Sequence, residues 1–162
     1  AAQAGEVAAA PAAISAAETG HLVFTTLHTT NVMQTMDRII DLFPANQQDQ
    51  IRSQLSLNLQ GIMCMRLLPR ADGSGRVPAC EVLVMNPAAR VLIRENRIAQ
   101  LNTVIASGKE EGMIGFNDSL NDLIKEGLIT REIGMEVSDN PEDLNMLLQG
   151  IRLSSRRGGI LK

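Results

Sequence analysis

The sequence predicts an α/β part followed by a small all-α helical bundle, and three observations carry that prediction. The run from about Leu22 to Leu27 holds β-branched and aromatic residues on both parities, the pattern of a strand covered on both faces. Two further apolar runs, MCMRLL and VPACEVLVM, flank the turn-forming stretch PRADGSGRV and read as a hairpin. Beyond Asn86 the apolar residues recur only at helical spacing.

Each element follows from local chemistry. Residues 1–15 are mostly Ala, which favours helix, but Gly5 and Pro11 interrupt them; they read as a loosely ordered tail or a short helix. AAETG reads as a helix end with Gly20 as its stop. Thr30 or Asn31 can cap the next helix, which carries Val32, Met36, Ile39 and Phe43 at helical spacing and ends at Pro44. From about Asn46 to Leu59 a second amphipathic helix sets Ile51, Leu55, Leu59 and Ile62 on one face. DGSG lies between strands and has no Lys-Ser/Thr after it, so it reads as a tight turn rather than a phosphate cradle. Asn86-Pro87 is a cap followed by Pro at the first helical position. A helix through Ile98, Leu101 and Ile105 breaks at Gly108, and the next buries Phe116, Leu120, Leu123 and Ile124 before Gly127. Thr130 starts a short helix, and Asn140-Pro141 starts the last, with Leu144, Leu147 and Leu148 inward. The expected partition is therefore a tail at 1–15, an α/β part at 16–86 and a helical part at 87–162 with a basic end.

Composition narrows the class. The chain has 162 residues, 44% of them hydrophobic, enough for a buried core. Three Phe and no Trp or Tyr argue against modules that stack bases or sugars on exposed rings. A net charge of -3 leaves no basic footprint for nucleic acid, so no nucleic-acid partner is expected. Cys64 and Cys80 are too far apart for a CxxC motif and read as small buried apolar residues in a reduced, cytosolic setting. No apolar run approaches the ~18 residues of a membrane span, and no leader pattern is present, so direct membrane insertion is not expected.

Few residues can carry chemistry. His21 and His28 bracket the expected strand, and an odd spacing along a strand sends their rings to opposite faces, against a shared metal. No metal site is expected. His28 stands with Thr25, Thr26, Thr29 and Thr30 where a strand ends and a helix begins, the place where α/β sheets bind ligands. Two readings stay open there: a phosphate-sensing cluster, or groups that cap the next helix. Arg90, Arg94 and Arg97, with Glu95 among them, form either a solvated helix face or a partner surface. SSRRGGILK is a basic, Gly-containing end. No phosphate-binding loop is present: the one Gly-Lys pair, Gly108-Lys109, precedes Glu110 and follows no glycine-rich loop. No apolar strand ending in Asp or Glu precedes His21. The chain on its own is therefore expected not to hydrolyse nucleotide.

AETGHLVFTTLHTTN (Ala17 to Asn31) and MDRIIDLFP (Met36 to Pro44) resemble the histidine box and following helix of the type IV pilus and type II secretion ATPases. The stretch from Ile51 to Leu101 is similar to the retraction branch, the PilT-like twitching motility ATPases. Ala88, Ala89, Arg90, Val91, Leu92, Ile93, Arg94 and Glu95 match that branch's AIRNLIRE-type motif, with Ala89 where Ile is usual and Val91 where Asn is usual. The four-cysteine zinc insertion typical of the assembly and secretion branches is missing, which favours retraction.

The resemblance, which runs from about Ala16 to the end of the helical part, implies the C-terminal portion of a RecA-like core and then a helical domain. The family's N-terminal domain, phosphate loop and aspartate box have no counterpart in the sequence. The resemblance implies further that Thr19, Gly20, His21, Thr26, His28 and Thr29 lie near the nucleotide, with His28 closer to its terminal phosphate. It places Ala88, Ala89, Arg90, Leu92, Ile93, Arg94 and Glu95 in the motif needed for retraction. The intact protein would bind ATP and Mg2+, work as a hexameric ring against the pilus inner-membrane platform protein, and sit in the cytoplasm peripheral to the inner membrane. None of these cofactors is expected to bind tightly to this chain alone. A non-catalytic regulatory or assembly module of such a ring, or a piece of a pilus-assembly or secretion ATPase, are the alternatives. A partial sheet of this kind is expected to expose a strand edge and apolar surface.

Overall fold

In the computed structural model, residues 2–151 are described, with side chains from residue 10 onward. The basic end SSRRGGILK lies outside the described residues. Helix α1 spans Ala2–Glu18 with Pro11 inside it, so the helical alternative for the N-terminal stretch is the one observed, and it is longer than residue 15. Its C-terminus closes on Gly20, which takes φ +88. The Gly20 N–H donates to Ala17 O at 3.0 Å and the His21 N–H to Ala16 O at 3.1 Å, the paired bonds that end a helix on a left-handed glycine.

Residues 21–29 form no strand and no helix. This corrects the expectation of a doubly covered strand over Leu22–Leu27: Leu22 is 79% and Phe24 88% exposed. A strand exists only through the backbone bonds it shares with a neighbour. Among the described residues the only sheet is the hairpin of β1 (Gly61–Pro69) and β2 (Arg76–Val84), and the 21–29 segment pairs with neither. The argument from spacing that sets His21 and His28 on opposite faces therefore has no strand to act on.

The helices follow their signals. Asn31, not Thr30, caps α2 (Val32–Asp41), its side-chain oxygen accepting from the Gln34 N–H at 2.8 Å. Helix α3 covers Gln48–Asn58, so Leu59 is its extended C-cap and Ile62, expected on the same helical face, lies in β1 instead. Asn86 caps α4 (Pro87–Arg94) by accepting from the Ala89 N–H at 2.9 Å, with Pro87 where a missing N–H costs nothing. A 3₁₀ turn at Ile98–Gln100 leads into α5 (Leu101–Ser107). Then come α6 (Phe116–Lys125), α7 (Arg131–Val137) capped by Thr130, and α8 (Pro141–Leu148) capped by Asn140. In the hairpin turn, Gly73 and Gly75 both take positive φ, and Asp72 accepts from the Ser74 N–H at 2.9 Å and the Ser74 hydroxyl at 2.6 Å. DGSG is a turn.

Among the described residues packing makes two compact units, one of residues up to 64 with 82–113, the other of residues 65–81 with 114–151. This differs from a linear boundary at Asn86, and the reason lies in side chains. In the first unit Ala89, Ile93, Leu101 and Ile105 join Val32, Met36, Ile40, Phe43, Ile51 and Leu55 in one core, so α4 and α5 belong with α2 and α3. Each fully buried Leu or Ile there contributes roughly 1.5–3 kcal/mol. In the second unit Phe116, Leu120, Ile129 and Leu144 close on Leu68 and Ala79 of the hairpin. There Arg66 lies over the Phe116 ring at 4.0 Å and donates to Val137 O at 3.0 Å and to the Asp139 carboxylate at 2.7 Å.

Candidate functional site

The candidate residues fall in two places, both in the first unit. The first is the chain from the end of α1 to the start of α2. Thr19 donates its hydroxyl to Ala16 O at 2.8 Å and stands 3.0 Å from His21 Nδ1, so Thr19, Gly20 and His21 together form the finish of α1. Thr26 and His28 are exposed. Thr29 is tied to α2: its hydroxyl lies 2.7 Å from that of Thr35, which also donates to Asn31 O at 2.8 Å and lies 3.4 Å from Cys64 Sγ. The Thr30 hydroxyl donates to Gln34 Oε1 at 2.7 Å.

Two members of the threonine cluster, Thr29 and Thr30, are thus tied to side chains of α2. Thr25, Thr26 and His28 are exposed to solvent. Thr35 is the member that residue type and spacing missed. It is 7% exposed, sits on the apolar face of α2 and holds Thr29 from behind. Its one signal was a polar residue beside Met36 on a face otherwise made of Val32, Ile39 and Phe43.

The second place is α4. Ala89 and Ile93 are fully buried, and Leu92 packs partly against the same core. Ala88, Val91, Arg94 and Glu95 are exposed. Arg90 is half-buried and donates from Nη1 to Ser56 O at 2.7 Å and Leu57 O at 3.0 Å. Arg97 pairs with Glu95 at 3.0 Å in an exposed ion pair. The three arginines therefore do not share one solvated face.

Among the described residues no group of three or more His, Cys, Asp or Glu is placed to hold a metal. Cys64 is buried and Cys80 partly so, and the two form no disulfide. No described helix is long and apolar enough to cross a membrane. For a nucleotide, the exposed Thr26 hydroxyl and His28 ring could each hydrogen-bond a phosphate oxygen from one side. The sequence holds no phosphate-loop motif to cradle the rest.

Comparison with known proteins gives this arrangement its family. The type II/IV secretion system protein family matches residues 5–111, reaching back into the Ala-rich stretch before residue 16. A twitching motility protein of Neisseria gonorrhoeae is 47% identical over 133 residues, 82% of this chain and 36% of that protein. The type IV pilus retraction ATPase PilT of Pseudomonas aeruginosa is 44% identical over 131 residues, 81% of this chain and 38% of that one. The crystal structure of the pilus retraction motor PilT with bound ADP superposes with a TM-score of 0.73 at 48% identity, covering 83% of this chain and 37% of that chain. The chain thus spans little more than a third of the length of these relatives. Its mixed α/β fold matches the corresponding part of PilT, and the chain belongs to the type II/IV secretion system protein family.

Proposed function

We propose that this chain carries the C-terminal, motion-transmitting portion of an ATPase that powers type IV pilus retraction. The observation that carries the reading is identity of 44–47% over more than 130 residues to proteins named for retraction and twitching. In this reading the polar segment Thr19–Thr29 lies beside the nucleotide of the intact motor, with Thr26 and His28 facing the phosphates. Bound ATP with Mg2+ would supply the hydrolysable phosphoanhydride. Thr35 holds Thr29, and through it the loop, against α2. The α4 segment Ala88–Glu95 serves retraction by passing motion toward the inner-membrane platform protein. The intact protein would act as a homo-hexameric ring, cytoplasmic and peripheral to the inner membrane.

This division of roles makes hydrolysis depend on a phosphate-binding loop that this sequence does not contain. The purified 162-residue chain is expected to show no magnesium-dependent ATP turnover. Grafted onto the phosphate-loop half of a PilT-type ATPase, the same residues are expected to support it. Turnover by the chain alone contradicts the proposal, and so does a folded graft without turnover.

A further inference from the structure

The Ala88–Glu95 segment is not one surface. Ala89 and Ile93, one turn apart, have no exposed area and belong to the core. Ala88, Val91, Arg94 and Glu95 face solvent. Arg90 does neither: its guanidinium folds back over the C-terminal end of α3 and donates to Ser56 O at 2.7 Å and Leu57 O at 3.0 Å. The last carbonyls of a helix lack partners inside it and carry its partial negative charge. Helix α3 has no basic residue in its own last turn, and its cap returns one backbone bond, Leu59 N–H to Leu55 O. Arg90 supplies from a neighbouring helix the charge and the donors that α3 lacks. Both acceptors are backbone atoms, so the tie fixes the position and rotation of α4 on α3 whatever side chains surround it.

We infer that Arg90 is a positioning residue that staples α4 to the end of α3, leaving Ala88, Val91, Arg94 and Glu95 as the motif side chains a partner can meet. The functional half of this inference rests on the proposed retraction role of α4; the staple itself does not.

Two measurements separate the halves. In the purified chain, Arg90→Ala is expected to lower Tm by roughly 3 °C or more. It should also speed exchange of the Leu59 amide, roughly tenfold, by freeing the α3 terminus. Arg94→Ala should change neither. Arg90→Lys keeps a charge and donors and should recover most of the Leu59 protection; it also serves if Arg90→Ala fails to fold. In cells carrying the grafted ATPase, Arg90→Lys should recover pilus retraction in step with that protection, whereas Arg94→Ala should lose retraction with the Leu59 amide still protected. Wild-type Tm and Leu59 exchange in Arg90→Ala would overturn the staple. Unchanged retraction in both Arg90→Ala and Arg94→Ala, alongside a loosened α3 end in Arg90→Ala, would overturn the retraction role and leave the staple standing.

Discussion

The hydroxyls of Thr29 and Thr35 meet at 2.7 Å, with the Cys64 thiol 3.4 Å beyond, in the buried part of the first unit. A buried hydroxyl without a partner costs free energy, so this small chain of polar atoms holds its three residues to one geometry. Exposed carboxylates show a second effect at this scale. Bonds from the Ser74 hydroxyl and N–H, and then from Arg70, hold Asp72 well below the usual carboxylate range. Glu132 is lowered by its own backbone N–H and by the Thr130 hydroxyl. A carboxylate whose folded pKa is depressed stabilises the fold above the ordinary carboxyl range, and that contribution is lost as pH falls through the folded value. Thermal melts of the chain should therefore show Tm falling below about pH 4. Because both groups are exposed the slope should be modest, and Asp72→Asn should flatten part of it. An Asp72→Asn chain with an unaltered acid slope would count against the assigned bonds.

At the scale of elements, helix ends were the most legible feature of the sequence. Asn31, Asn86, Thr130 and Asn140 all cap where their types predict, because a cap needs only one side chain and the few residues after it. The hairpin was legible for the same reason, its turn chemistry being local. The Leu22–Leu27 run misled, because a strand needs a neighbour and an apolar pattern does not supply one. Nor did helical spacing separate Arg90 from Arg94; only the position of the α3 terminus does that. The hairpin also has a tight point at Gly61, where an added Cβ would lie 2.8 Å from Leu83 O, a backbone atom that cannot rotate away. Gly61→Ala should destabilise the chain by about 1–3 kcal/mol in urea unfolding. Wild-type stability would show that the strands open there at little cost.

For the whole molecule, the two units interleave along the chain: the hairpin leaves the first unit after Cys64 and returns to it at Val82. A linear reading could find the helices but not their company, since α4 and α5 share apolar periodicity with α6 to α8 and differ only in which core they fill. The candidate site was legible chiefly through resemblance. Its residues are ordinary Thr, His, Arg and Ala, and spacing alone left capping and phosphate sensing equally open. Packing then divided them, assigning Thr29 and Arg90 to support and leaving Thr26, His28, Val91 and Arg94 toward solvent. The central claim is that these residues belong to a retraction motor. It is tested most directly by twitching in a strain whose own retraction ATPase has its C-terminal portion replaced by the matching residues of this chain. The account predicts that pili retract and colonies spread. A chimera that assembles and hydrolyses ATP at the parent rate, yet leaves the pili extended, would contradict it.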